Sequence, residues 1–178
     1  TTNLSRNAET LFPRNNNLFI GTTTGMIIYD VSNPSAPNHL SNFNHARSCD
    51  PVVVDGNYAY VTLRSGSPCQ GFINQLDVIN IQNISSPYLV KSYPLTNPHG
   101  LGIENNTLFI CDGDDGLKVY DTTNKEEIDQ NQLHHFPSMN GFDVIPYAGN
   151  LIFIGADGLA QYDYSDPNNM TLLSTITL

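Results

Sequence analysis

Apolar residues along this chain fall in short clusters broken by polar turns, and four segments share one arrangement. Each segment opens with a short apolar strand and a polar turn. A second strand then reads apolar-aromatic-apolar: Leu18-Phe19-Ile20-Gly21, Ala59-Tyr60-Val61-Thr62, Leu108-Phe109-Ile110-Cys111 and Ile152-Phe153-Ile154-Gly155. A turn containing Gly leads to a third strand that ends on Asp or Asn. These strands read Met26-Ile27-Ile28-Tyr29-Asp30, Leu76-Asp77-Val78-Ile79-Asn80, Leu117-Lys118-Val119-Tyr120-Asp121 and Leu159-Ala160-Gln161-Tyr162-Asp163. A Ser-, Asn- and Pro-rich turn follows, as at Ser32-Asn33-Pro34 and Ser165-Asp166-Pro167. A fourth strand closes the unit, as at Tyr88-Leu89-Val90-Lys91-Ser92-Tyr93.

The closing Asx residues stand at 30, 80, 121 and 163, so the period is 41 or 42 except across an insertion at 64–74. Four short strands per repeat of roughly 40–45 residues is the pattern of a propeller blade. The expected fold is therefore all-β: β-propeller blades of four antiparallel strands, four repeats, near 8–45, 49–95, 98–137 and 141–178. Residues 125–132 read as a polar loop. No strand is left over to be shared between the first and last blades. The four are thus expected to be part of a larger propeller, or a ring completed by a further segment or a second copy.

Composition narrows the function classes. Charged residues are 13% of the chain, with 7 Lys and Arg against 17 Asp and Glu, a net charge of −10 and a pI near 4.5. Nucleic-acid partners are disfavoured, because their affinity comes from basic groups that neutralise phosphates. Anionic membrane surfaces are disfavoured for the same reason. No apolar run approaches the length of a transmembrane segment. Polarity comes instead from 22 Asn together with Ser and Thr. Three Cys without a CxxC pair give neither a disulfide framework nor a zinc ribbon.

There is no Trp for a WD repeat and no paired-Gly kelch motif. Phe109-Ile110-Cys111-Asp112-Gly113-Asp114-Asp115-Gly116-Leu117-Lys118-Val119-Tyr120-Asp121 resembles the LVIVD repeat family of bacterial propellers. Ile27-Ile28-Tyr29-Asp30-Val31-Ser32-Asn33-Pro34 does so too. The stretch from Arg47 to Gly66, with Asn97-Pro98-His99-Gly100-Leu101-Gly102, is similar to the C-terminal half of LVIVD-repeat lipoproteins of Bacteroidetes-type bacteria. The resemblance implies an extracytoplasmic protein, periplasmic or anchored at the outer membrane by a lipid, with further blades upstream. It implies no reaction.

In such a blade the entry to the first strand and the turn between the second and third lie at one end, because adjacent strands run antiparallel. That end collects the insertion with Arg64, the loop holding Arg47, and the acidic turn with Asp112, Asp114 and Asp115. Aligned on their second strands, the units place Glu9, Asp50, His99 and Asp143 at one position, at the mouth of the channel. Carboxylates mixed with an imidazole are competent to hold a divalent cation or a small ligand. The preferred reading is that each bonds its own turn. The acidic turn is likewise read as hairpin chemistry rather than a calcium loop, since it is too short for the 12-residue loop and lacks its Glu. Cys49 and Cys69 lie on that same end, and either a disulfide or two free thiols fits them. Cys111 reads as a small buried residue. No catalytic residue, cofactor or metal is assigned beyond the cation considered at the ring. The chain reads as a non-enzymatic binding or scaffold module for a protein or glycan partner at the cell envelope. The alternative is a metal-dependent enzyme using the ring.

Overall fold

In a computed structural model, which describes residues 8–45, 51–66 and 71–177, the chain builds four sheets of four antiparallel strands. The first sheet holds β1 (Ala8–Arg14), β2 (Asn17–Thr22), β3 (Gly25–Asp30) and β4 (Asn38–Asn44). The second holds β5 (Val52–Asp55), β6 (Tyr58–Leu63), β7 (Gln75–Asn80) and β8 (Tyr88–Pro94). In the third are β9 (Leu101–Glu104), β10 (Thr107–Cys111), β11 (Leu117–Asp121) and β12 (Gln132–Phe136). The fourth comprises β13 (Gly141–Tyr147), β14 (Asn150–Gly155), β15 (Gly158–Asp163) and β16 (Thr171–Ile176). Within each sheet the strands pair in chain order. These are the predicted blades.

The chain divides into two compact units, Thr1–Ser92 and Tyr93–Leu178. In the first, side chains on one face of the first blade, Phe19, Met26 and Ile28, pack against Val52, Val54, Val61 and Ile79 of the second. Period-2 alternation sends these residues to one face, so the apolar strands must be covered by a neighbour. Polar ties reinforce the packing: Arg14 Nη1 donates to Val54 O at 2.9 Å, and Ser41 Oγ to Ile84 O at 2.5 Å. The second unit repeats the scheme, with Phe109, Leu117 and Val119 against Val144, Leu151 and Phe153. Here Glu104 is the tie. Its carboxylate accepts Ala148 N at 2.9 Å, Gly149 N at 3.4 Å and the Tyr164 hydroxyl, which above all holds its pKa below the usual range.

The Asx landmark has a structural task in every blade. Asp30, Asn80, Asp121 and Asp163 accept, through Oδ1, the N–H of Ser32, Gln82, Thr123 and Ser165 at 2.7–2.9 Å. Three residues further on, Asn33, Asn83, Asn124 and Asp166 do the same for Ser35, Ser85, Glu126 and Asn168 at 3.0–3.2 Å. Such Asx turns reverse the chain between the third and fourth strands. Four of the 22 Asn are spent this way.

The segment at 125–132 is more than a polar loop. Ile128–Gln130 form a short 3₁₀ turn, and Ile128 is fully buried. The Tyr93 hydroxyl donates to Lys125 O at 2.8 Å and accepts Ile128 N at 3.3 Å. One apolar anchor among polar neighbours leaves no periodicity to read.

Candidate functional site

Strand register decides which residues share the mouth position. In the first blade Ala8 pairs with Thr22 and Thr10 with Gly21, so Glu9 is the extra residue of a β-bulge and is exposed. In the third, His99 N donates to Cys111 O at 2.7 Å and Cys111 N to Gly100 O at 3.0 Å, so Gly100 opposes Cys111 as Thr10 opposes Gly21. His99 therefore matches Glu9. In the fourth blade Gly141 pairs with Gly155 and Asp143 with Ile154, which makes Phe142 the bulged residue. The equivalence expected for Asp143 is thereby corrected: Phe142 holds the position of Glu9 and His99, and Asp143 that of Thr10. Both blades carry the same bulge; the offset comes from matching Phe153 to Phe19, whereas the register sets Leu151 against Pro146 as Leu18 stands against Pro13, so that Phe153 answers to Ile20. Asp50 lies outside the described residues, as do Arg47, Cys49 and Cys69.

Around that position the second unit is tightly built. The His99 ring lies 6.1 Å from Phe142, with Asn97 Nδ2 3.4 Å from Nε2. Gly100 N donates to Phe142 O at 2.9 Å, and a Cβ on Gly100 would stand 2.1 Å from Asp143 Oδ1. Only glycine lets the two first strands approach so closely. Asp143 keeps solvent exposure, yet the protein crowding its carboxyl pushes its pKa up, against the pull of Val144 N at 2.9 Å from Oδ1. Cys111 is buried and free, and burial, with the charge of Asp143, pushes its thiol far up. It stays protonated and inert.

The acidic turn is occupied by the protein's own cation. Gly113–Asp115 form a 3₁₀ turn rather than a two-residue hairpin. Asp112, fully buried, accepts Asn97 N at 2.7 Å, Thr96 N at 3.0 Å and Lys118 Nζ at 2.6 Å. Lys118 Nζ also lies 2.5 Å from Asp115, whose carboxyl takes a hydrogen bond from Thr96 Oγ1 at 3.0 Å. Burial alone would lower the Lys118 pKa, but the hydrogen bonds to Asp112 and Asp115 outweigh it and hold it up. The hydrogen bond from Lys118 in turn holds the Asp115 carboxyl low. Asp114 accepts Asn140 Nδ2 at 2.8 Å. An ammonium thus sits where calcium would have to. The one Lys interrupting an apolar third strand was the available signal for it. Among the described residues, no cluster of three or more His, Cys, Asp or Glu could hold a metal.

Of the insertion in the second blade, residues 64–66 and 71–74 are described. Ser65 N donates to Asn74 Oδ1 at 2.7 Å and Gly66 N to Gly71 O at 3.0 Å, closing its base beside half-buried Arg64. Phe72, between the two closing bonds, stands 94% exposed. Among the described residues no helix is long and apolar enough to cross a membrane.

Four-stranded antiparallel blades repeated along the chain define a β-propeller protein. The LVIVD repeat model matches residues 6–45 and 46–94, half of the sequence, and the chain belongs to the LVIVD repeat family. None of the curated proteins compared matches it. Among solved structures it is similar to the computationally designed Ika4 protein, at 11% identity and a TM-score of 0.64, covering 98% of this chain and 94% of that one. A functionally unknown protein from Desulfotomaculum acetoxidans DSM 771 is similar at 10% identity and a TM-score of 0.71, covering 99% of this chain and 58% of that one. AztD from Citrobacter koseri is similar at 15% identity and a TM-score of 0.63, covering 94% and 46%. The chain thus spans nearly all of Ika4 and about half of the two natural proteins. At these identities the likeness is one of fold.

Proposed function

We propose that this propeller is a non-enzymatic binding or scaffold module of the extracytoplasmic bacterial cell envelope, engaging a protein or glycan partner through its loop-bearing end. The observation that carries the reading is Phe72, held 94% exposed on a hydrogen-bonded insertion. An aromatic side chain left in water on an inserted loop is a partner's anchor, since aromatics dominate binding energy once buried in a pocket. Groups that could perform chemistry are committed elsewhere: Asp112 and Asp115 to Lys118, and the Cys111 thiol to the core. The envelope setting is supported by the likeness to LVIVD-repeat lipoproteins.

Phe72→Ser tests this directly. Wild type is expected to retain one stoichiometric partner from a bacterial envelope fraction or on a glycan array. The variant should lose it by at least roughly tenfold with an unchanged melting temperature, as hot-spot aromatics do. The competing metalloenzyme predicts otherwise. Turnover of ester, glycoside or phosphate substrates near about 1 s⁻¹ or faster, abolished by His99→Ala, would overturn the proposal. So would a melting shift on adding calcium, zinc or manganese that His99→Ala removes.

A further inference from the structure

One pocket of the second unit is lined by several polar side chains without a hydrogen-bond partner among the described residues. In the fourth blade the β14–β15 turn, strands β14, β15 and β16 and the segment leading into β13 line a half-open pocket of about 190 Å³. Its apolar wall is made by Met139, Phe153, Leu159 and Ala160, and its polar groups belong to Ser138, Asn140, Asp157, Tyr162 and Thr175. Asn140 gives its amide to Asp114 and keeps its carbonyl oxygen. No hydrogen bond within the described residues engages the side chains of Ser138, Asp157, Tyr162 or Thr175. Burial pushes the Tyr162 phenol up, so its hydroxyl stays neutral and can both donate and accept. This is the opposite of the acidic turn, where every carboxylate already has a partner.

The residue types select the occupant. No cation lines the cavity and Asp157 is its one charge, so an anion would meet no counter-charge and one repulsion. An ammonium only donates, which would leave the Ser138, Tyr162 and Thr175 hydroxyls without a donor role. A neutral molecule rich in hydroxyls satisfies both sets at once. Phe153 and Tyr162 stand nearly perpendicular, 88° apart with centroids 6.4 Å apart, and give an apolar C–H face something to pack on. At about 190 Å³ the cavity is smaller than the roughly 300–1,000 Å³ of pockets for drug-sized ligands. It has room for one ring.

We propose that this cavity is a subsite for a single neutral sugar ring, as a free monosaccharide or the terminal residue of a glycan. The proposal rests on the binding-module reading and names the ligand class of one site within it.

Calorimetric titration of the 178-residue chain with glucose, galactose, mannose and N-acetylglucosamine tests it, with glucuronate and cadaverine as charged controls. At least one neutral sugar should bind with a millimolar dissociation constant, as expected for so small a ligand (about 1 mM). Tyr162→Phe should weaken binding roughly fivefold or more with the melting temperature unchanged, because the lost hydroxyl has no partner in the protein. Ser138→Ala, at an exposed position, gives an independent second reading in the same direction. Glucuronate should bind less tightly than glucose, and Asp157→Asn should narrow that gap. The proposal is overturned if no neutral sugar binds at about 50 mM, if both Tyr162→Phe and Ser138→Ala bind as wild type does, or if cadaverine binds more tightly than every sugar. A failure here with Phe72-dependent capture intact sinks the sugar subsite alone, whereas substrate turnover sinks the binding-module reading.

Discussion

Asp30, Asp121 and Asp163 close their third strands by accepting a backbone N–H two residues on, and Asn80 makes the same bond in the second blade without a charge. The geometry of the acceptor, not its charge, is therefore what the repeat requires. The charge still leaves a mark. Ser32 and Ser165 N–H groups hold the Asp30 and Asp163 carboxyls low, and Thr123, through its hydroxyl and then its N–H, does so for Asp121. A carboxyl whose folded pKa is depressed contributes stability above its unfolded pKa, here near 3.8, and loses it as pH falls through the folded value. A triple variant carrying Asp30→Asn, Asp121→Asn and Asp163→Asn should still fold at pH 7, where three weaker neutral bonds are set against three fewer repelling charges. Between about pH 4 and pH 2 it should lose less stability than wild type, because three of the linked protons are gone. Equal acid sensitivity in thermal melts across that window would show that these bonds do not tune the carboxyls.

At the level of the element, the turn joining β10 to β11 is held by a nearly buried ion pair, with the Asp112 and Lys118 side chains 0% and 12% exposed. Removing one partner of such a pair strands the other charge, at a cost of about 3–5 kcal/mol. Asp112→Ala should fall in that range by urea unfolding, since it also orphans the Thr96 and Asn97 N–H groups. Lys118→Met should cost less, because Asp112 keeps those two backbone donors. If Lys118→Met proves the more damaging change, the backbone donors are not what makes Asp112 costly to lose. This turn also shows where reading stopped at the sequence. The strands around it were legible from alternation and repeat, because burial of one face imposes period 2 on every strand. Its acidic run was legible too, but its partner was not: Lys118 meets Asp112 and Asp115 only once the turn and β11 have folded. Glu104 and Tyr164, 60 residues apart, are the same case. So is the pocket, whose lining comes from a turn, three strands and a linking segment, none with a motif of its own. Phe142 lost its place in the sequence because the aromatic residue of β14, Phe153, stands one residue out of step with Phe19 of β2.

For the whole molecule the governing number is the net charge, −10 on 178 residues with only 7 basic side chains. A compact chain that far from neutrality repels itself, and folding brings the like charges closer. Salt acts on two opposed contributions: it screens the repulsion, and it weakens exposed ion pairs. Here the second is bounded by 7 basic side chains against 17 acidic ones, and the Lys118 pairs are shielded by burial. Repulsion should therefore dominate, and raising sodium chloride from about 20 mM to about 300 mM shrinks the screening length from roughly 20 Å to below 10 Å. The expected result at pH 7 is a gain near 1 kcal/mol, or a melting temperature higher by about 2–4 °C. Sodium chloride is the right probe, because sulfate would raise the melting point by strengthening apolar burial whatever the charge. The same titration at pH 4.5, near the pI, should be almost flat. A melting temperature that falls with salt at pH 7 would mean that attractive pairs, and not surplus carboxylates, set the electrostatic balance of this fold.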